Sequence, residues 1–219
     1  MLAELLPPAA SVAEAFDDET PSPLYPEEAA LVERAVDKRR REFATARRCA
    51  REALATLGVP AAALPSGKNR EPLWPPGIVG SITHCQGYRA AAVARQHDLA
   101  SVGIDAEPHA PLPSGVLEVI ALPREVTRLA ELSAGYQGRC WDRLLFCAKE
   151  SVYKAWFPLA RRWLGFHEAD IVIDPGSGTF SATLLVLGPQ QGETTLGEFT
   201  GRFLVSNGLV LTAVAVPGH

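Results

Sequence analysis

The 219-residue sequence predicts an α+β fold of two halves, each an antiparallel sheet with helices packed on it. A helical pattern over residues 27–57 is followed by short strand patterns from residue 78, and the order helix then strands returns from residue 140. A chain of this length accommodates two halves of about 100 residues. We place the division between 1–103 and 104–219.

The first half opens with an irregular segment and continues with a helix. Residues 1–24 show no periodic pattern, whereas Pro26 followed by two acids is typical of a helix start. The helical pattern runs, in one or two pieces, to Gly58 and Pro60, which end it. The segment 65–77, PSGKNREPLWPPG, is rich in proline and glycine and is predicted as a loop.

Strand patterns follow this loop and return at the end of the chain. IVGSIT, YRAAAVAR and ASVGIDAE predict three strands joined by HCQG and QHDL. Residues 114–135 indicate one or two short helices, and residues 140–156 a longer one that Pro158 ends. DIVID, TFSATLLV, EFTGRFLV and GLVLTAVAV predict further strands, with PGSG and NG as hairpin turns.

The composition excludes several classes of protein. A content of 47% hydrophobic and 21% charged residues is typical of a soluble globular chain. The net charge of −4 gives no global basic field, so we expect no nucleic-acid partner. We find neither a membrane-spanning apolar run nor a signal-peptide pattern, and therefore expect a cytoplasmic monomer without membrane contact. The four cysteines lack metal-binding spacing and are predicted to be buried thiols.

Positive charge is concentrated in one helical segment. Residues 33–52 contain eight Lys or Arg residues against four acids. This local excess indicates an anionic partner of limited size, and the alternative is an ordinary solvated helix face.

Two carboxylates follow the end of an apolar strand. Asp105 and Glu107 come directly after residues 101–104, and residues two apart on a strand point to the same face. Carboxylates held close together repel each other unless a proton or a cation lies between them. A divalent metal explains the pair, and a strand end that turns into solvent explains it equally well.

The helix over residues 140–156 carries a candidate third carboxylate. At 100° per residue, Glu150 and Lys154 share a face with Arg143 and Cys147, opposite the apolar stripe. One interpretation is a weak exposed ion pair between Glu150 and Lys154. The other is an oxygen-rich site for magnesium, with Lys154 facing an anion bound to the metal.

VGSITHC, residues 79–85, is a further polar segment. A strand leads into Gly80, Ser81, Thr83 and His84, which offer hydroxyls, an imidazole and close approach to the backbone. This combination indicates a phosphate site, although a single histidine is more often an ordinary polar residue.

Taken in order, VGSITHC, VGIDAE and FCAKESVYKAW resemble the three signature segments of 4′-phosphopantetheinyl transferases. KRRREF, REPLWP, GYRAAAVA and KAWFPLARRWLGF extend the likeness to the actinobacterial branch of the larger, surfactin-synthetase-activating type, over about residues 38–166. The resemblance implies two similar halves packed as a pseudo-dimer in one chain. It also implies Mg²⁺-dependent transfer of phosphopantetheine from coenzyme A to a serine of an acyl or peptidyl carrier protein, with release of 3′,5′-ADP. Such enzymes activate polyketide, fatty-acid and non-ribosomal peptide synthases.

The resemblance further implies roles for single residues. Asp105, Glu107 and Glu150 would hold Mg²⁺, or Mn²⁺, around Ala106, and Glu150 or a water on it would deprotonate the serine. Asp105 and ten further residues would also bind coenzyme A. Lys149 and Lys154 would contact its diphosphate, and Gly67, Lys68 and Arg70 would lie near the adenine and the diphosphate. The 3′-phosphate would be bound by Ser81, Thr83, His84, Arg39 and Arg47. The first half would thus bind the 3′-phosphate, and the second would hold the metal and the catalytic helix.

Two other functions stay open at this point. A magnesium-dependent phosphohydrolase could use the same three acids on a nucleotide or coenzyme A, without any carrier protein. A non-catalytic module could bind coenzyme A through the basic helix, and magnesium would then be irrelevant.

Overall fold

Two antiparallel sheets, each covered by a 20-residue helix, form the protein in the computed structural model, which describes residues 1–20 and 22–218. The predicted α+β class with two halves is confirmed. None of the helices described there is long and apolar enough to cross a membrane.

The first half is a three-stranded sheet with the strand order β1-β3-β2. After a 3-10 turn at Leu2–Leu5, its elements are β1 (Ser11–Ala15), α1 (Pro26–Leu31), α2 (Asp37–Thr56), β2 (Ile78–Cys85) and β3 (Tyr88–Arg95). The predicted irregular structure of residues 1–24 is wrong at β1. Its sequence SVAEA is a weak strand former, and it becomes a strand because all five residues pair with β3.

The second half is a five-stranded sheet with the strand order β4-β10-β9-β6-β5. Its elements are β4 (Leu99–Pro108), α3 (Val116–Ile120), α4 (Pro123–Gly135), α5 (Trp141–Ala160), β5 (Ala169–Asp174), β6 (Thr179–Leu184), β7 (Gln190–Gln191), β8 (Thr194–Thr195), β9 (Glu198–Ser206) and β10 (Leu209–Pro217). The short strands β7 and β8 pair only with each other.

The two halves repeat one arrangement. In both, a first strand leads to the long helix and then to a hairpin, giving β1, α2, β2 and β3 in one half and β4, α5, β9 and β10 in the other. In both sheets the first strand pairs with the last. The expected boundary after residue 103 falls inside β4, which pairs with β10 from Leu99 to Pro108. The sheets therefore divide in the turn before β4.

The helix α5 packs its predicted apolar stripe into the core of the second half. Trp141, Leu145, Ala148, Val152, Ala155 and Trp156 are all buried. Pro158 does not end the helix as predicted. It lies in the last turn, where a missing backbone N–H removes only one bond, and the helix ends at Ala160, followed by Arg161, whose φ is 54°.

Candidate active site at the joint between the two halves

The two halves meet where β2 and β4, one edge strand from each sheet, lie side by side. Two hydroxyls on β2 accept hydrogen bonds from backbone amides of β4: Ser81 Oγ from Ile104 N at 3.2 Å, and Thr83 Oγ1 from Ala106 N at 3.0 Å. Edge-strand amides need acceptors when they are buried, and these side chains provide them. We call this contact the β2–β4 joint.

The structure gives Ser81 and Thr83 a role in the β2–β4 joint that the sequence did not predict, and their contact with a phosphate stays a prediction. Both residues are buried, with 4% and 2% of their surface exposed. Their hydroxyls hold the two halves together as acceptors, so the Ser81 proton can still be donated to a ligand, whereas the Thr83 proton is donated to Asp105.

The site is formed where α5 crosses β4. Alternate residues of β4 face α5 and contact residues about one helical turn apart, because two strand residues span about 6.6 Å and a helical turn about 5.4 Å. Ser101 Oγ donates to Ala155 O at 2.7 Å. A β-carbon on Gly103 would lie 1.9 Å from Ser151 O, so only glycine permits this approach. Asp105 and Glu107 come next on the same face.

Asp105 is held on one side only. Its Oδ1 accepts from Lys154 Nζ at 2.7 Å and from Thr83 Oγ1 at 3.2 Å. Its Oδ2 is buried without a hydrogen-bond partner of good geometry among residues 1–20 and 22–218. The buried Cys147 thiol is the polar group next to this carboxylate, and burial together with the Asp105 charge raises the pKa of Cys147. Asp105 is 5% exposed, so the alternative of a strand end turning into solvent is wrong for it. Burial lowers the pKa of Lys154, but the charge of the Asp105 carboxylate outweighs this effect and raises that pKa above its ordinary value.

Glu107 is partly exposed and pairs with a cation from α5. Its Oε2 accepts from Arg143 Nη1 at 2.9 Å, and the same guanidinium donates to the carbonyls of Ala110 and Pro111 at 2.9 Å each. Burial, together with the charge of Asp105, raises the pKa of Glu107, while Arg143 opposes the shift. Arg143 thus fixes both this carboxylate and the chain that follows β4.

The Glu150 side chain, on the helix α5, makes no hydrogen bond or ion pair with any other residue that the structure describes. Burial raises its pKa, and so do the charges of Asp105 and Glu107, while Lys154 lowers it. The three predicted carboxylates are therefore close enough to repel one another. The exposed Glu150–Lys154 pair is not formed, because Lys154 binds Asp105.

The three carboxylates do not form a closed metal cage. Within the described parts of the chain, no group of three or more His, Cys, Asp or Glu side chains stands ready to hold a metal ion. The donor chemistry nevertheless fits a hard divalent cation such as Mg²⁺, which prefers carboxylate oxygens and keeps several waters. Among the residues described, Asp105 Oδ2 is the carboxylate oxygen of this site that is fully buried and has no hydrogen-bond partner.

Lys149 does not lie at this site, contrary to the prediction that it touches the diphosphate of coenzyme A. Its Nζ forms an ion pair with Glu125 at 2.9 Å and donates to the carbonyls of Phe166 and Ala169 at 2.6 and 2.8 Å. Both charged side chains are almost fully buried, at 2% and 1% exposed. Lys149 therefore ties α5 to α4 and β5.

Next to the β2–β4 joint, cations of α2 face His84. Arg39 Nη1 lies 2.6 Å from His84 Nε2, and since arginine only donates, His84 accepts this bond as a neutral ring. Desolvation by the surrounding protein, followed by the charges of Arg39 and Lys154, lowers the pKa of His84 to about 4. The structure brings both predicted residues together.

Arg47 lies deeper on the same helix. It is 5% exposed, its Nη2 donates to Ser66 Oγ at 3.1 Å, and its Nε is buried without a partner among the residues described. Burial lowers the pKa of Arg47 to about 10 despite the opposing charge of Glu28. An arginine in this state favours a bound anion.

The loop 65–77 borders a cleft of about 540 Å³ between the halves, which is lined by Arg70, Trp74, Ser81, Tyr153, Lys154 and Phe157 among others. Arg70 reaches this cleft, whereas Gly67 and Lys68 are not among its lining residues. Gly67 N donates to Glu71 O at 2.8 Å inside the loop.

Sequence reasoning gave Arg143 no role, although it lies three turns before Lys154 on one helix face, and nothing in the sequence marked Trp74 or Tyr153.

Two halves with a cleft between them, carboxylates at the joint and cations beside it, form a site whose charges would suit an anionic ligand bound through a metal ion. Sequence comparison gives a specific family. The model of the 4′-phosphopantetheinyl transferase N-terminal domain matches residues 27–94, and that of the 4′-phosphopantetheinyl transferase superfamily matches residues 101–207.

Whole-length relatives agree with these matches. The chain is 55% identical to 4′-phosphopantetheinyl transferase Svp of Streptomyces mobaraensis, over 99% of this chain and 89% of that protein. It is 48% identical to 4′-phosphopantetheinyl transferase Npt of Nocardia iowensis, over 98% and 99%. It is 49% identical to 4′-phosphopantetheinyl transferase PptT of Mycobacterium tuberculosis, over 93% and 91%.

The chain belongs to the 4′-phosphopantetheinyl transferase superfamily, as the resemblance of its three segments predicted. It is therefore a transferase, and the phosphohydrolase and the non-catalytic module are set aside.

Proposed function

We propose that this enzyme transfers the 4′-phosphopantetheine group of coenzyme A to a serine hydroxyl of an apo acyl or peptidyl carrier protein, with Mg²⁺, and releases 3′,5′-ADP. The observation that carries this proposal is that an acidic cluster and a basic cluster lie next to each other at the β2–β4 joint. Thr83 binds Asp105, and the adjacent His84 contacts Arg39. A ligand that carries a diphosphate and a separate phosphate matches this arrangement, and coenzyme A is such a ligand.

The cations of the first half would bind the 3′-phosphate. Arg39 and His84 lie within hydrogen-bond distance of each other at the surface, and Arg47 has a buried Nε without a partner among the residues described. Guanidinium groups suit phosphate oxygens because they donate in a planar fork. These three residues would account for selection of coenzyme A over its dephospho form.

The carboxylates would hold the metal in the second half. Asp105, Glu107 and Glu150 are the residues we assign to Mg²⁺, or to Mn²⁺ in its place. When bound, the ion would neutralise charge on the diphosphate and on the leaving oxygen. Lys154, which contacts Asp105, would place a positive charge at the diphosphate.

The reaction itself would be a direct displacement. The serine oxygen attacks the β-phosphorus, the bond to the bridging oxygen breaks, and 3′,5′-ADP leaves. Glu150, or a water on it, accepts the serine proton. Catalysis would thus depend on positioning and electrostatics and would need no covalent enzyme intermediate.

One experiment tests the proposal. Purified enzyme is mixed with coenzyme A, Mg²⁺ and an apo carrier protein, and the intact carrier is weighed by mass spectrometry. We expect the mass of one phosphopantetheine group to be added, and the addition to stop in EDTA and in Asp105→Ala. Transfer that persists in EDTA would overturn the metal assignment. Release of ADP without carrier, at the rate seen with carrier, would overturn the transfer.

A further inference from the structure

Thr83 and Ser81 make the same contact to β4, but Thr83 makes one bond more. Each hydroxyl accepts from a buried amide, Ile104 N for Ser81 and Ala106 N for Thr83. Only Thr83 also donates its proton, to Asp105 Oδ1 at 3.2 Å. The joint alone would need only the amide contact, so the bond to Asp105 requires a separate explanation.

The two oxygens of Asp105 are in opposite situations. Oδ1 accepts a hydrogen bond from Thr83 Oγ1 of the first half at 3.2 Å and one from Lys154 Nζ of the second half at 2.7 Å. Lys154 is itself fixed, since its Nζ also donates to Ile104 O at 3.1 Å. Oδ2 is buried without a partner among the residues described, an arrangement that costs free energy unless a ligand occupies it.

We propose that Thr83 is the positioning residue of the metal ligand Asp105. Its hydroxyl, together with Lys154, holds Oδ1 and so prevents the carboxylate from rotating, which leaves Oδ2 as the oxygen presented to the cation. This inference rests on the proposed function, because it requires Asp105 to be a ligand. It differs from the predicted contact between Thr83 and a phosphate, and the test below distinguishes the two roles.

The side-chain type supports this role. Threonine is β-branched and stiff about χ1, so its hydroxyl keeps one direction better than that of serine. Its single proton points to Asp105 and its oxygen already accepts from Ala106 N. Partners of metal ligands that fix the orientation of the ligand commonly change metal affinity when they are removed.

The test uses Mn²⁺ alone as the probe and Ser81→Ala as the matched control. Thr83→Val removes the hydroxyl at nearly constant volume, and Thr83→Ser keeps it. Both Thr83→Val and Ser81→Ala leave one β4 amide without its acceptor, so both should lower the melting temperature measured in EDTA. Only Thr83→Val should weaken Mn²⁺ binding, by about 10-fold to 100-fold in the electron paramagnetic resonance titration of free Mn²⁺. Thr83→Ser should restore most of that affinity.

Three outcomes separate the inference from the proposed function. If Asp105→Ala binds Mn²⁺ like the wild type, the metal site itself is wrong, and the metal assignment in the proposed function fails with it. If Asp105→Ala abolishes binding but Thr83→Val binds like Ser81→Ala, only the positioning role is overturned. If Thr83→Val leaves Mn²⁺ affinity unchanged and raises the Kd of coenzyme A but not of dephospho-coenzyme A, Thr83 is a phosphate ligand. Should Thr83→Val fail to fold, Thr83→Ala is compared with Ser81→Ala in the same titration.

Discussion

The substitution Gly103→Ala tests whether the contact between α5 and β4 sets the geometry of the site. The added β-carbon would lie 1.9 Å from Ser151 O and 2.6 Å from Ala155 N, both backbone atoms of α5. Ordinary contacts begin near 3.4 Å, so α5 would have to retreat by about 1.5 Å. Lys154 and Glu150 would move with it, while Asp105 stays on the strand.

We expect two effects of Gly103→Ala. Overpacking of this kind costs about 1–3 kcal/mol, which for a chain of this size lowers the melting temperature by several degrees. A displacement of about 1 Å at a reacting group costs about 10²-fold in rate, so transfer should fall by that order. Differential scanning calorimetry and the carrier mass assay measure the two effects.

Gly135→Ala is the control for Gly103→Ala. Gly135 lies at the end of α4, and a β-carbon there would have no atom within 4 Å. We expect Gly135→Ala to melt and react like the wild type. If Gly103→Ala behaved the same way, the close approach of α5 would have no bearing on stability or catalysis, and our account of the site geometry would be refuted.

Three further predictions concern single charged groups. Glu150→Gln should not lower the melting temperature, because it removes a charge that burial and two neighbouring carboxylates disfavour. It should lower the rate at saturating substrates by about 10²–10⁴-fold, since a general base contributes that much, and wild-type turnover would contradict this. Lys149→Met and Glu125→Gln should each destabilise by about 3–5 kcal/mol in urea unfolding, because each leaves one buried charge unpaired. The double variant should recover most of that loss and bind coenzyme A normally, whereas weakened binding would make Lys149 a ligand. His84, with a pKa of about 4, is neutral at pH 7, and a bound 3′-phosphate would raise that pKa. Binding should then take up a proton and tighten as the pH falls towards the raised pKa. Calorimetry in buffers of different ionisation enthalpy measures this uptake, which should be absent with dephospho-coenzyme A, and equal heats in all buffers would exclude it.

Those parts of the structure that follow from local periodicity could be predicted from the sequence. The apolar stripe of α5 follows from a period of 3.6 residues, and the shared face of Asp105 and Glu107 from a period of two. Both patterns depend only on neighbouring residues. The position of α2 beside His84 also follows in part, because the excess of arginine over residues 33–52 predicts a site for an anion there.

The rest depends on partners that are distant in the sequence. Nothing in the sequence near Ser81 or Thr83 indicates that β4 will lie beside them. The sequence therefore predicts a phosphate contact for their hydroxyls and does not predict that these hydroxyls join two strands. Lys149 could have been placed better, since neighbouring helical residues point about 100° apart and Glu150 and Lys149 therefore cannot both face the strand. Its actual partner, Glu125, lies on another helix and leaves no local signal.

The way in which the β2–β4 joint is made provides a direct means of observing movement between the halves. Each sheet completes its own backbone ladder, and among the residues described the backbone amides of β4 at the joint are bonded to side-chain oxygens of the other sheet. The amide protons of Ile104 and Ala106 depend on acceptors in the opposite half, whereas the ladder of the same strand with β10 does not. If the halves separate briefly without unfolding, these two protons should exchange with solvent deuterium while the ladder stays protected. A ligand that spans the cleft should slow that exchange, so two amides on one strand would report how often the active site opens.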